Sequence, residues 1–280
     1  MKDIYAMIGI TKQAFYKRLK SDRRKEEVNA QILDCAAAIR AEHTRIGCRK
    51  IHSLLENPGM GRDRTEQLLL SKGFRLQRKR SYHRTTYAGK TYYENLITGL
   101  ELRAADQLWV SDMTYIGVGY RRNYYLTLIL DVYTRRIKGW SLSDTMRTED
   151  TVLPAFEMAA RELPLSGSKK PIFHSDKGAQ YGSDLMREVY EKYGVTPSMG
   201  GKAWENAHAE SLNGILKNEY IHFGMSELGL KKATRMVKNW IYLYNHKRPH
   251  GSLGNMKPWE YEIYIERTAV RNRPLVTINY

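Results

Sequence analysis

Residues 107–144 constrain the fold of this 280-residue chain more than any other stretch. They read QLWVSDMTYIGVGYRRNYYLTLILDVYTRRIKGWSLSD, which is rich in β-branched and aromatic residues and is interrupted by a Gly-Tyr-Arg-Arg-Asn turn. This pattern predicts three antiparallel strands joined by short connections. Such a meander has to bury an apolar face, so the rest of the chain must supply elements that cover the sheet.

The residues after the meander alternate between helical and strand patterns. We predict a helix over about 148–163, the strand PIFHSD at 171–176, a helix over about 183–193, the short strand VTPSM at 195–199, and a helix over about 205–220. Three meandering strands followed by alternating helices and strands indicate a mixed sheet covered by helices, in the α+β or α/β class.

The N-terminal region has a helical pattern instead. Residues 3–20 predict a short helix, a turn at Gly9, and a second helix capped by Thr11. A longer helix is predicted from Glu26 to about His43, and two more within 49–74, separated by a Pro-Gly-Gly break. The apolar face of the long helix consists of Val28, Ile32, Cys35, Ala36 and Ile39. Packed helices of this kind are typical of helix-turn-helix DNA-binding domains, although a helical interaction module without DNA contacts fits the pattern too.

These textures divide the chain into five segments, as its length also suggests. They are a helix-turn-helix-like arm at 1–25, a helical domain of the DNA-binding type at 26–85, a linker at 86–105, a mixed-sheet domain at 106–262 and a tail at 263–280.

The formal charge of +16 is concentrated near the N-terminus. Residues 1–100 contain 21 Lys and Arg against 10 Asp and Glu, and no acid occurs between Glu66 and Glu94. A basic run of this length favours a phosphate-backbone partner, although an ordinary solvated surface is the alternative. The candidate DNA contacts in this region are Arg62, Arg64, Arg75, Arg78, Lys79 and Arg80.

Some classes of protein are disfavoured by what the sequence lacks. It has neither an apolar signal region nor an apolar run near the roughly 20 residues that a membrane helix needs. We therefore expect a soluble, cytoplasmic protein without a membrane partner. Cys35 and Cys48 have no metal-ligand spacing, which argues against zinc and predicts two buried packing residues.

Two aspartates end or interrupt predicted apolar strands in an informative way. Asp112 shares a strand face with Val110 and Thr114, so it must be hydrogen-bonded, ion-paired or metal-bound. Asp176 ends the strand PIFHSD, where it either starts a turn or holds a positive group. Asp131 also ends an apolar strand, but it stands before Thr-Arg-Arg and is better explained as a turn cap or an arginine partner.

A third carboxylate lies on the following helix. Asn206, Glu210, Asn213 and Lys217 recur at helical spacing and form one polar stripe, which is usually just the solvated side of a helix. If Asp112, Asp176 and Glu210 converge, they cannot all stay ionised without cations. Carboxylate oxygens suit Mg²⁺ or Mn²⁺, and two such ions can activate water and stabilise the leaving oxygen of a phosphodiester.

Four segments resemble the catalytic core of insertion-sequence transposases in the retroviral-integrase superfamily. They are LWVSDMTYI, HSDKGAQY, ENAHAESLNGILKNEY and YNHKRPHGSLGNMKPWEY. More narrowly, they resemble the second-frame (OrfB) product of the family named after insertion sequence three. The family pattern is Asp, Asp and, about 35 residues later, Glu, followed after seven residues by a basic residue. The resemblance implies an RNase H-like core with Asp112, Asp176 and Glu210 as ligands of two Mg²⁺ ions and Lys217 as a DNA contact.

The resemblance also implies a function and its partners. It implies binding of double-stranded DNA at terminal inverted repeats, cleavage that releases a 3′-hydroxyl, and strand transfer into target DNA. A homo-oligomer on DNA and an upstream-frame (OrfA) partner are implied too. The protein is then expected to act at the bacterial nucleoid. Asn206, Lys217 and Arg248 become candidate DNA contacts, with two alternatives: Asn206 holds the surroundings of Glu210, and the segment that contains Arg248 is purely structural. A DNA-binding regulator without catalysis and a stand-alone RNase H-like nuclease are the alternatives.

The chain departs from the family pattern at two points. Trp204 and Glu205 stand where many relatives have Tyr and Asp before the glutamate motif, so this loop is expected to treat DNA differently. No sustained heptad repeat for a leucine zipper occurs.

Overall fold

The computed structural model describes residues 10–76, 93–118, 122–163, 170–221 and 228–279. The chain divides into two compact units, Met1–Arg78 and Lys79–Tyr280. No helix within these described ranges is both long and apolar enough to cross a membrane.

Over its described residues, 10–76, the first unit contains three helices. They are α1 (Lys12–Glu42), α2 (Cys48–Leu54) and α3 (Arg62–Ser71). The predicted cap at Thr11 is confirmed, because its side-chain oxygen accepts a 3.1 Å hydrogen bond from the Ala14 amide. The predicted interruption between residues 20 and 26 is wrong, since α1 runs through it without a break. That segment contains no Gly or Pro, and Lys25 pairs with Asp22 one turn away at 2.8 Å. The short helix predicted before Gly9 lies outside the described residues.

A small apolar core holds these three helices together. Its buried members are Ile32, Ala36, Ile46, Cys48, Ile51 and Leu69. The prediction that both cysteines are buried is right for Cys48 and wrong for Cys35, which is exposed. One residue turns an α-helix by 100°, so Cys35 is rotated away from its buried neighbour Ala36.

The second unit is built on a mixed five-stranded sheet, as predicted. Two short strands, β1 (Glu101–Leu102) and β7 (Val276–Thr277), pair separately. The main sheet contains β2 (Leu108–Val118), β3 (Arg122–Asp131), β4 (Ile137–Ser143), β5 (Ile172–Asp176) and β6 (Thr196–Gly200). Its order is β4-β3-β2-β5-β6, with β2, β3 and β4 antiparallel and with β5 and β6 parallel to β2.

Helices cover both faces of this sheet. They are α4 (Val152–Ala160), α5 (Asp184–Tyr193), α6 (Ala207–Glu219), α7 (Leu230–His246) and α8 (Pro258–Arg267). On one face Trp109 and Phe173 pack with α4 and α5, whereas on the other Val110 and Leu128 pack with α6 and α7. Because strand side chains alternate between faces, β2 contributes to both cores.

Helix α7 was not anticipated in the sequence, although its pattern is clear once the helix is known. Its buried residues include Ala233, Val237, Trp240 and Tyr244, which recur every three or four positions. Asn245 ties the helix to the edge strand, because its side chain bonds both the N–H and the C=O of Ile137 at 3.0 Å.

Candidate active site

Asp112 and Asp176 lie side by side on adjacent strands. β2 and β5 pair in parallel from Leu108 opposite Ile172 to Val110 opposite His174, and the same register continued by two residues sets Asp112 beside Asp176. Paired strands lie roughly 4.8 Å apart, and residues of matching register project to the same face. The β2–β5 pairing ends before these aspartates, so the strands are free to separate where the two carboxylates lie.

Helix α6 lies over the same part of β2, and two asparagines anchor it there. The Asn213 side-chain amide donates a 2.7 Å hydrogen bond to Asp112 Oδ2, and the Asn206 amide donates one of 2.9 Å to the Ser111 carbonyl oxygen. Glu210 lies between these anchors, one helical turn before Asn213. The helix therefore presents Glu210 beside the two aspartates.

The pKa values show that the three carboxylates interact electrostatically. Burial and then the neighbouring Asp176 charge raise the pKa of Asp112 to about 7, against hydrogen bonds from the Met113 amide and Asn213 that act in the opposite direction. Burial and then the Asp176 charge also raise the pKa of Glu210. Like charges brought together in a half-buried site destabilise one another unless a cation joins them.

The donor set fits a hard divalent cation, although its oxygens are engaged by the protein itself. Asp112 accepts from Asn213, and Asp176 Oδ1 accepts a 3.0 Å hydrogen bond from the Gly178 amide. In keeping with this, no three His, Cys, Asp or Glu side chains among the described residues form a ready-made metal site. Carboxylate oxygens are nevertheless the ligands that Mg²⁺ and Mn²⁺ prefer.

Lys217 lies on α6 two turns after Glu210, and its side chain is exposed. Partial desolvation lowers the pKa of its ammonium group, and the attraction of the Asp112 carboxylate offsets only part of this effect. Lys217 is thus close enough to interact with the buried Asp112, and its own side chain is still exposed to solvent.

The loop between β6 and α6 completes the surroundings of the carboxylates. A Cβ atom added at Gly200 would lie 2.8 Å from Glu205 Cβ and 3.1 Å from His174 Nε2, so only glycine fits there. His174 is fully buried beneath the loop and bonds Ser198 at 2.9 Å, and burial lowers its pKa to about 4. His174 is therefore a neutral packing residue.

Two of the predicted DNA contacts are instead part of the interior. Arg248 is 2% exposed and forms paired hydrogen bonds with Glu219, at 2.6 and 2.8 Å, so it has no free face for a phosphate. Asn206 is 4% exposed and is held by the Ser111 carbonyl, so it anchors α6 rather than contacting bases. Arg62, Arg64 and Arg75 are exposed on the first unit, whereas Arg78, Lys79 and Arg80 fall outside the described residues.

A tyrosine that the sequence did not single out links the two aspartate-bearing segments. The Tyr181 hydroxyl lies 3.0 Å from Ser111 Oγ, and Ser111 Oγ donates to the Leu128 carbonyl oxygen at 2.9 Å. Because Tyr181 also closes the turn after Asp176, through its amide and the Gly178 carbonyl, it joins this turn to the residue before Asp112.

Asp131 is a turn cap, as expected from its position. Its Oδ1 accepts hydrogen bonds from the amide and hydroxyl of Thr134, at 2.7 and 2.8 Å, and its Oδ2 accepts one of 2.7 Å from the Asp106 amide. These bonds fix the turn at Thr134 and hold the chain at Asp106 against it, so Asp131 has a structural role and does not belong to the candidate active site.

The raised pKa of Asp112 predicts a pH-dependent effect on stability. Between its ordinary value of 3.8 and about 7, the folded protein keeps a proton that the unfolded chain has released, so stability falls as pH rises through this window. Asp112→Asn removes the penalty and should raise the free energy of unfolding at pH 8 by roughly 2 to 4 kcal/mol in EDTA. Urea unfolding at pH 4 and pH 8 measures this, with the difference disappearing near pH 4. Equal stability at pH 8 would contradict an Asp112 that is protonated in the folded protein near neutrality.

The sheet order and the position of the carboxylates define a class, the RNase H-like polynucleotidyl transferases. The profile of the integrase core domain matches residues 103–203, and a second integrase core profile matches residues 193–258. The chain is 30% identical to the insertion element IS600 31 kDa protein of Shigella sonnei, over 90% of this chain and 94% of that protein. It is 30% identical to the transposase of insertion sequence IS904 from Lactococcus lactis, over 86% of this chain and 97% of that protein.

Other relatives match over a shorter length. The putative IS986/IS6110 transposase of Mycobacterium tuberculosis is 34% identical over 61% of this chain, and the match spans 62% of that protein. Among solved structures, the magnesium-bound catalytic core of HTLV-2 integrase aligns with a TM-score of 0.44 at 19% identity, over 57% of this chain and 97% of that one. The chain belongs to the insertion-sequence transposases of the retroviral-integrase superfamily.

Proposed function

We propose that this protein is a DDE transposase, which cleaves DNA at the ends of an insertion sequence and joins them to target DNA. The observation that supports this proposal is the mutual electrostatic influence of Asp112, Asp176 and Glu210, just beyond the point where the pairing of β2 with β5 ends. Family membership supports the same chemistry.

We infer that Asp112, Asp176 and Glu210 hold divalent cations, with two Mg²⁺ ions as the natural set and Mn²⁺ as a substitute. When bound, such ions supply an activated water and stabilise the leaving oxygen of a phosphodiester. The mutual repulsion of the three carboxylates supports this inference, since cations would relieve it.

The remaining side chains have positioning roles in the proposal. Asn213 orients the Asp112 carboxylate, and the Tyr181–Ser111 contact fixes the turn after Asp176 against β2. Lys217 binds a DNA phosphate from the exposed side of α6. With the strand held in line, water attacks a phosphodiester and the departing oxygen becomes a 3′-hydroxyl. That hydroxyl then attacks a target phosphodiester and displaces a new 3′-hydroxyl.

The first unit is proposed to bind the terminal inverted repeats. Exposed Arg62, Arg64 and Arg75 supply phosphate contacts there, together with Arg78, Lys79 and Arg80 from the adjoining basic run. The proposal includes a homo-oligomer that pairs two element ends, an upstream-frame partner, and action at the nucleoid, where the DNA substrate lies.

A joining assay tests the proposed function. The purified wild-type chain is incubated with Mg²⁺, a labelled duplex that carries the element's terminal repeat, and a circular target plasmid. We expect both a 3′-cleaved strand and label covalently joined to the plasmid. Cleavage without joining would replace the proposal with a nuclease, and DNA binding without cleavage would replace it with a regulator.

A further inference from the structure

Trp204 is an apolar side chain in an unexpected place. It is 57% exposed, which is more than any of the other four tryptophans, since Trp109 is fully buried, Trp240 is 7% exposed and Trp259 is 38% exposed. Exposure of so large an apolar ring costs free energy in water, so a ring held outward on a structured loop is a candidate contact for a ligand.

The loop that carries Trp204 is firmly folded. Residues Ala203–Asn206 form a 3₁₀ turn, and the Glu205 carboxylate accepts hydrogen bonds from the Gly201 and Lys202 amides. These bonds lower the pKa of Glu205 and keep it ionised. The tight packing of Gly200 against Glu205 fixes the base of the loop. Trp204 is therefore presented by a defined turn.

The loop borders all three candidate carboxylates. It begins at Gly200, which lies opposite Asp176 in the pairing of β5 with β6. It ends at Asn206, which bonds the Ser111 carbonyl next to Asp112 and leads directly into the helix that bears Glu210. A ring at the middle of this loop stands beside any strand bound across the carboxylates.

Two lysines give the same loop a positive charge. The Lys202 ammonium lies 4.9 Å from the centroid of the Trp204 ring. Lys177, which follows Asp176, extends to the loop, since its Nζ would lie 3.3 Å from a Cβ atom built on Gly201. An aromatic ring with an ammonium group over one face, on a loop that a second lysine reaches, suits a nucleotide, because a base can stack on the other face of the ring while the cations attract its phosphates.

We propose that Trp204 stacks on a nucleobase of the DNA strand bound at the candidate active site, and that Lys177 and Lys202 bind the phosphates beside that base. This inference rests on the proposed function, and it adds the contact that holds the reacting strand. A protein partner would be less well matched to a single ring on a lysine-bearing loop at the rim of an acidic site.

The test compares Trp204→Ala with Trp204→Phe and with a control, Tyr242→Ala, which removes a 51% exposed aromatic ring from α7. Binding of element-end duplexes is measured in Ca²⁺, with 2-aminopurine placed in turn at each position near the cleaved bond.

For the wild-type protein we expect fluorescence quenching at one position. Trp204→Ala should lose the quenching and weaken binding by roughly 10- to 100-fold, whereas Trp204→Phe should keep part of both and Tyr242→Ala should change binding less than about twofold.

Abasic DNA separates a stacking contact from a merely structural role. Removing the quenched base should weaken wild-type binding by a similar factor and should add nothing to the Trp204→Ala defect. A defect that is the same on intact and abasic DNA at every position would overturn the inference, as would unchanged binding by Trp204→Ala. If the wild-type protein joins DNA while Trp204→Ala matches it, only this inference fails. If base-specific quenching occurs but no joining does, the proposed function fails and the stacking contact stands.

Discussion

Asp112→Asn is expected to reduce Mg²⁺-dependent cleavage and joining by about 10³-fold or more. The substitution keeps the size of the side chain, and its carbonyl oxygen can still accept the hydrogen bond from Asn213. It removes a negative charge at the point where the proposed cations bind. Loss of the bound cations would cost several kcal/mol of transition-state stabilisation. Asp176→Asn and Glu210→Gln should have losses of similar size, because each removes one carboxylate from the same site.

The measurement is a time course of strand cleavage and plasmid joining at fixed Mg²⁺, with DNA affinity and thermal unfolding recorded for each variant. Asp184→Asn is a matched control, since Asp184 is an exposed aspartate at the start of α5 and pairs only locally with Arg187. This control should retain wild-type rates, and all variants should still bind DNA. Wild-type activity in any of the three carboxylate variants would remove that residue from the proposed site.

The secondary structure of the catalytic unit could be predicted well, because its determinants are local. The alternation of apolar and polar residues in β2 to β4 specifies half-buried strands. Helix α5 has both an N-cap at Ser183 and a terminating glycine at Gly194. Errors arose where local patterns were ambiguous. The charged segment near Asp22 resembles a connection but continues α1, and Cys35 lies at the border of an apolar stripe, where a rotation of one residue decides burial.

The candidate site could be predicted only in outline, because spacing locates carboxylates but not their partners. The bond from Asn213 to Asp112 joins residues 101 apart in sequence, and the Tyr181–Ser111 contact joins residues 70 apart. A polar stripe does not distinguish Glu210, which is exposed, from Asn213, which is turned inward. The prediction for Arg248 failed for the same reason. A basic residue in a basic chain was assigned to DNA, but α6 supplies Glu219 as its carboxylate partner.

The burial of Arg248 leads to a second large effect, on stability. Its side chain is 3% exposed and that of Glu219 is 13% exposed, and the paired hydrogen bonds connect the end of α6 to the segment after α7. Arg248→Met should lower the free energy of unfolding by about 3 to 5 kcal/mol, because it leaves the Glu219 carboxylate buried without its partner. Urea unfolding of the full chain, followed by the fluorescence of the tryptophans, measures this change.

A double substitution distinguishes the ion pair from a DNA contact. Arg248→Met combined with Glu219→Leu removes both charges, and it should recover most of the lost stability because an apolar pair can replace a buried ion pair at little cost. The same double variant should bind DNA with wild-type affinity at temperatures where it is folded, since Arg248 is buried and the Glu219 side chain is only 13% exposed. Weaker DNA binding without a change in stability would show that Arg248 leaves Glu219 to bind a phosphate, in which case the end of α6 would rearrange on DNA. Lost stability that Glu219→Leu restores, with DNA affinity unchanged, would instead establish this pair as a structural connection that holds the helix bearing Glu210 in place.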